Sequence, residues 1–193
     1  MTTSLATLEL LKSRRSLKPT MFTTPGPTDA ELTEILTIAS RVPDHKKLNP
    51  WRFIVFSGSA RAKAGDLFAK ACIAEDAMEP SDVRLQTERT RFLRAPLVIA
   101  VVSRFVEKPG VPEMEQLLST GAAAFNLCLA ANAMGFGTCW ITEWIAYSPT
   151  VSAGLGLQPG ERIAGFIYIG TAAERQTDRD RPALDDIVTH WNG

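Results

Sequence analysis

Leu5, Leu8 and Leu11 recur at the spacing of one helix face, which predicts a first helix from about Leu5 to Ser13. Pro19 to Pro27 reads as a loop. Thr28 followed three residues later by Glu31 is a capping box, in which hydroxyl and carboxylate satisfy orphan amides reciprocally. Leu32, Ile35, Leu36 and Ala39 continue on one helix face. Pro43 ends that pattern, because the residue before a proline is pushed out of the α region. Phe53 to Phe56 is a short apolar run closed by Ser57-Gly58, the pattern of a buried strand. Ser59 to about Ala74 reads as helix, and a charged helix follows from Asp82 to Leu93. Leu97 to Val102 is a continuous apolar run, as expected for a strand covered on both faces. Pro112 opens a long helix to Met134 that Gly135 stops. Its second half is apolar nearly all round, which places it in a core or at an oligomer interface. Thr138 to Thr142 is a candidate strand, Ser148-Pro149 starts a short helix, and Ile163 to Ile169 is another buried strand. Leu184, Ile187 and Val188 give the tail a helical pattern. The expectation is an α+β protein with four short strands and helices between them. Repeats, low-complexity segments and a linker are lacking, so residues 1–193 are expected to form a single domain.

The bulk numbers narrow the class without naming a function. A chain of 193 residues is expected to bury roughly 70% of the surface its unfolded form exposes. Apolar residues make up 45% and charged residues 22%, ordinary values for a globular protein. Lys plus Arg and Asp plus Glu balance at 21 each, so no global basic field points to nucleic acid. Cys72, Cys128 and Cys139 form no CxxC pair and read as reduced thiols. The first charges follow the first apolar residues, the reverse of a secretory leader. No uninterrupted apolar run is long enough to span a bilayer. These features predict a cytoplasmic protein without a membrane segment.

Charge is concentrated in three short clusters: Arg14-Arg15-Ser16, Arg41-Val42-Pro43-Asp44-His45-Lys46-Lys47, and Arg179-Asp180-Arg181-Pro182. Guanidinium forks match phosphate oxygens two at a time, and a serine hydroxyl adds a donor. Brought together, the first and last clusters make a phosphate clamp. Basic residues at a helix C-terminus are also favoured by the macrodipole, so Arg14-Arg15-Ser16 taken alone reads more readily as a structural helix end than as a site. Gly135-Phe136-Gly137-Thr138-Cys139-Trp140 fits either a backbone approaching a planar ligand or a helix cap leading into a strand. Other motifs fail. Gly154 to Gly160 is one residue too long for a dinucleotide fingerprint, and no P-loop or nucleophile elbow occurs. The two histidines, His45 and His190, have no metal-spaced partner.

In order and spacing, several segments together resemble the nitroreductase family, its small single-domain branch most closely. They are Leu10 to Ser16, Arg41 to Phe53 with its PDHKKLNPW core, Arg94-Ala95-Pro96, Gly135 to Trp140, and Ile163 to Gly170. The resemblance implies an α/β/α layered fold with a central, mainly antiparallel sheet and an intertwined homodimer with FMN at the interface. It implies that Arg14 and Ser16, with Arg15 between them, hold the FMN phosphate and ribityl chain. Arg41 and His45 match a second flavin-contacting segment. Trp140, Ile141 and Thr142 match the stretch lining the isoalloxazine, and Arg179 and Arg181 a basic pair closing on the phosphate. Lys18 matches a lysine near the pyrimidine edge. The long helix from Pro112 to Met134 would be interface core.

The activity so implied takes electrons from NADH or NADPH to a nitroaromatic, quinone or related small acceptor by a ping-pong mechanism, with no side chain as covalent catalyst. The chain departs from larger members: it is too short for their helical insertion over the active site, and a Pro-Glu-Gly flavin loop has no clear counterpart. Those departures keep open a flavin-binding carrier or sensor without turnover.

Overall fold

The structure, a computed structural model, describes residues 3–174 and 176–193. In chain order the helices are α1 (Leu5–Ser13), α2 (Asp29–Ala39), α3 (Ala60–Glu75), α4 (Asp82–Thr90), α5 (Glu113–Ala133) and α6 (Pro149–Gly154). The strands are β1 (Phe22–Thr23), β2 (Trp51–Ser57), β3 (Leu97–Arg104), β4 (Gly137–Ile141) and β5 (Glu161–Ala172). The observed architecture is the mixed helix and antiparallel sheet expected, with five strands instead of four. The additional strand, β1, lies in the segment read as a loop. It has only two residues, too few for a period to show, and it forms because Phe22 and Thr23 pair with Ala172 and Thr171 at the far end of β5.

β5 organises the sheet. β3 pairs with it antiparallel from Leu97↔Ile169 onward, and β4 pairs antiparallel on its other side from Gly137↔Gly170 to Ile141↔Phe166. β2 extends the sheet beyond β3. Side chains alternate across a strand, and here both faces are covered. Val98, Ala100, Phe166 and Tyr168 pack with Phe68 of α3, Val151 of α6 and Phe92. Ile99, Val101, Ile167 and Ile169 pack on the other face with Ile35 of α2 and Leu127 of α5. This α/β/α sandwich explains why β3 and β5 read as continuous apolar runs.

Local signals set most boundaries. Thr28 and Glu31 form the predicted capping box at the start of α2: the Glu31 carboxylate accepts from the Thr28 amide at 2.8 Å. That helix ends at Ala39, four residues before Pro43. The charged helix expected over residues 82–93 is shorter. It tightens into a 3-10 turn at Arg91–Arg94, and the turn drops Phe92 into the core. There the ring meets Phe56, Phe68, Phe166 and Tyr168 edge-on, with centroids 4.7–5.7 Å away. Edge-to-face contacts of this kind suit the aromatic quadrupole. The tail forms one 3-10 turn, Leu184–Asp186, with Leu184, Ile187 and Val188 exposed. Among the described residues no helix is long and apolar enough to cross a membrane.

Candidate functional site

β4 brings two sequence clusters to one edge of the molecule. At its start, Ser16 bridges to Thr138 and the Leu17 amide donates to the Thr138 carbonyl at 2.9 Å. The exit of α1 is thereby fastened to the strand, and Arg14 and Arg15 are held beside it. At its end, Trp140, Ile141, Thr142 and Glu143, with Ala164 of β5, line a shallow cleft of about 500 Å³. The five residues of β4 separate the two regions by roughly 13 Å at strand rise.

The glycines here are spoken for by packing. Gly135, at φ 88°, lies just past α5, and the next amide, of Phe136, donates back to the Ala131 carbonyl at 3.0 Å, as a helix cap requires. A Cβ on Gly137 would stand 2.2 Å from Leu17 Cδ1. Of the two readings left open for this segment, the cap followed by a strand describes these glycines. Gly165 serves the ring end: its missing Cβ leaves room for the indole of Trp140, whose Nε1 would be 2.1 Å away. That Nε1 donates to the Ala164 carbonyl at 3.2 Å, which fixes the tryptophan against β5 while leaving it partly exposed.

At the basic end, Arg14 caps α1 and lies over the Phe125 ring of α5 at 5.3 Å, a favourable cation–π distance. Arg15 Nε donates to the Thr177 carbonyl at 2.9 Å and stands 3.9 Å from Asp178 Oδ1. Arg181 donates to the same Asp178 oxygen at 3.2 Å. The two ends of the polypeptide thus meet at one exposed carboxylate. Hydrogen bonds from the Arg179 amide and then from Arg181 hold that carboxyl below its ordinary pKa. Arg179 itself is exposed. A cleft of about 470 Å³ runs from Arg14 and Arg15 past Asn132 to Gly135–Gly137. The Asn132 amide nitrogen donates to the Phe136 carbonyl at 2.8 Å, whereas its Oδ1 is buried with no partner among the described residues.

The middle cluster lies elsewhere. His45 Nδ1 is 2.7 Å from Glu115 Oε2, at the start of α5, beside a cleft lined by Pro43, Leu118 and Ala122. Asp44 accepts from the Leu48 and Asn49 amides at 3.0 and 2.8 Å. Lys46, Lys47 and Asn49 take φ of 59°, 55° and 49°, conformations that cost energy for residues with a Cβ. Arg41 is exposed, and its carbonyl receives the Asn126 amide at 3.4 Å. Within one chain, therefore, Arg14, Arg15, Ser16, Trp140, Ile141, Thr142 and Arg181 gather along β4 and its flank; Arg41 meets α5 at Asn126, next to the Phe125 that Arg14 covers, and His45 meets it at Glu115, ten residues before Phe125.

One residue of the region escaped the sequence reading. Glu143 follows Trp140–Thr142 directly and takes φ 54°, ψ 178°, a region almost reserved for glycine. Its carboxylate is gripped by the guanidinium of Arg91, faces Arg94 Nη1 at 3.4 Å, and receives the Tyr168 hydroxyl at 3.4 Å. A lone acid directly after an aromatic strand was the available signal. Burial pushes Cys128 and Cys139 up to about 11 each. Both thiols are protonated at neutral pH and neither is a thiolate nucleophile.

An α/β/α sandwich with a cationic helix exit and an aromatic strand end on one edge defines a fold class, and the comparisons supply its family. The model of the Nitroreductase family matches residues 11–171, and the chain belongs to that family. It is 37% identical over 185 residues to the Escherichia coli (strain K12) protein described as "Putative NAD(P)H nitroreductase YdjA", covering 95% of this chain and 98% of that one. It superposes on the crystal structure of a nitroreductase-like family protein from Bacillus cereus with a TM-score of 0.83, 27% identity and full coverage of both chains. The fold is also that of the FMN-dependent nitroreductase NfnB from Mycobacterium smegmatis, solved in complex with NADPH. That likeness has a TM-score of 0.74 at 20% identity and covers 97% of this chain and 98% of the other.

Proposed function

We propose that the chain is an FMN-dependent oxidoreductase that passes electrons from NADH or NADPH to a nitroaromatic, quinone or related small acceptor in two alternating half-reactions. The observation that carries this reading is the pairing of a guanidinium cluster and an aromatic face at the two ends of β4, joined through Ser16 and Thr138. A ligand with an anionic tail and a planar ring suits that spacing. Family membership and the names of the relatives support the same cofactor and donor.

The residues present fit FMN. Arg14, Arg15, Arg179 and Arg181, with the Ser16 hydroxyl, form a donor set for a phosphate, and Arg15 and Arg181 already share one anionic partner in Asp178. Asn132, whose buried Oδ1 has no partner among the described residues, is among the residues of the adjoining cleft, which offers room for a ribityl chain. Trp140, Ile141 and Thr142 offer a face for the ring. Bound FMN supplies the hydride chemistry, while the protein binds, orients and tunes it. Lys18 is the cation assigned to the pyrimidine side, where positive charge favours the reduced form. His45, paired with Glu115 near the start of α5, stands apart from Arg14, which lies over Phe125 ten residues further along that helix, so this reading includes a homodimer in which a second copy delivers His45.

Steady-state oxidation of NADH and of NADPH by FMN-loaded protein, with a quinone or nitroarene as acceptor, tests the activity. Parallel double-reciprocal lines are expected. Bound FMN that neither nicotinamide reduces would instead indicate a carrier or sensor.

A further inference from the structure

Behind Glu143 lies a buried ionic relay for which the proposed chemistry has no direct use. Glu88 on α4 is fully buried at 0% exposure. It receives a two-pronged contact from Arg91, Nε to Oε2 and Nη2 to Oε1, both at 2.5 Å. Arg84 adds a third bond at 2.5 Å, and its guanidinium lies 5.3 Å over the ring of Trp144, the residue after Glu143. The remaining nitrogen of Arg91 reaches the Glu143 carboxylate. Arg91 cannot drift, because its neighbour Phe92 is locked in the aromatic cluster of the core.

A fixed fork at Arg91 and a strained backbone at Glu143 belong together. A non-glycine residue at φ 54°, ψ 178° persists only where surrounding contacts over-determine it. The Glu143 carbonyl accepts the Ala146 amide at 3.3 Å; its side-chain contacts are made by the carboxylate, and Arg91 is the most deeply buried cation among them. We propose that Arg91, oriented by Glu88, is a positioning residue that grips Glu143 and thereby sets the backbone path of Trp140–Glu143 against the flavin. The inference rests on the flavin reading above. It adds that two residues of the core-side helix and turn, remote from the cofactor phosphate, control how tightly the ring is seated.

FMN affinity decides, measured by quenching of flavin fluorescence together with the absorption band of the bound flavin. Glu143→Gln leaves the Glu88–Arg91 pair in place and is expected to raise the FMN dissociation constant about tenfold and shift the band, an effect within the usual range of coupling between contacting groups. Combining Arg91→Gln with Glu88→Gln avoids leaving one buried charge unpaired. In that background Glu143→Gln is expected to weaken binding by less than about twofold further, because Arg91 acts through Glu143. Independent, multiplying effects would overturn the proposal, as would wild-type affinity and spectrum in Glu143→Gln. If the Arg91/Glu88 variant does not fold, Arg91→Lys, which keeps the charge and loses the fork, takes its place in the same cycle and is judged by the same criteria. Failure of the wild-type protein to take up FMN would instead defeat the flavin reading itself.

Discussion

Glu161 accepts Arg52 in a fork, Nε to Oε1 and Nη2 to Oε2, both at 2.7 Å, and accepts the Gln158 amide at 2.8 Å. The Arg52 hydrogen bonds, outweighing burial, hold its carboxyl below the ordinary value. A group with a depressed folded pKa contributes stability above its unfolded pKa, near 4.3 for Glu, and loses it as pH falls through the folded value. Glu161→Gln is therefore expected to lower stability at pH 7 by about 2 kcal/mol, with the gap closing below about pH 4. Thermal melts across pH test this, and a gap that does not change with pH would contradict it. Single residues were unevenly legible. Arg14-Arg15-Ser16 stood out because its charge is concentrated in a short segment, whereas Trp140–Thr142 was assigned to the flavin ring only through family resemblance. Glu88 and Arg91 did not, because charges on a charged helix read as solvated, and only packing decided that this pair is buried.

The crossing of α3 and α4 sets the frame for that buried pair, and one glycine permits it. A Cβ on Gly65 would lie 2.0 Å from the Arg89 carbonyl oxygen and 2.6 Å from its carbon. The obstacle is backbone, so it cannot swing aside. Gly65→Ala is expected to cost about 3 kcal/mol from overpacking, well beyond the gain of about 1 kcal/mol in helix propensity. A lowered urea midpoint is the expected result; an unchanged or raised one would show that the helices separate freely. Elements covered on both faces, β3 and β5, were legible as apolar runs. β1 was not, since its identity comes from β5 rather than from its own two residues. The break of α4 at Arg91 was hidden too, because it is driven by Phe92 seeking the core.

Much apolar surface remains open on one molecule. Leu5, Leu8 and Leu11 of α1 are exposed, as are Met114, Leu118 and Phe125 of α5 and Trp191 near the end, at 86%. Large exposed apolar areas mark interaction surfaces when they are contiguous; α1 contacts α5, and the regular leucine pattern of α1 has no buried member in its own chain. The sequence reading assigned α5 to a core or an interface. In the structure one side of α5 is core, with Leu127 packed on the sheet, while Leu118 faces outward. What covers that face is not encoded in the periodicity of one helix, so the expectation of a homodimer rests on family resemblance together with the apolar run of α5. The proposed function includes it: Arg15 and Arg181 meet at Asp178 within one chain, while His45 is held at Glu115 near the start of α5.

Sedimentation velocity of the protein mixed with FMN, followed at the flavin's visible absorption, tests the account most directly. The expected result is colour travelling with a two-chain particle at one FMN per chain. Flavin left unsedimented, or carried by single chains, would contradict it.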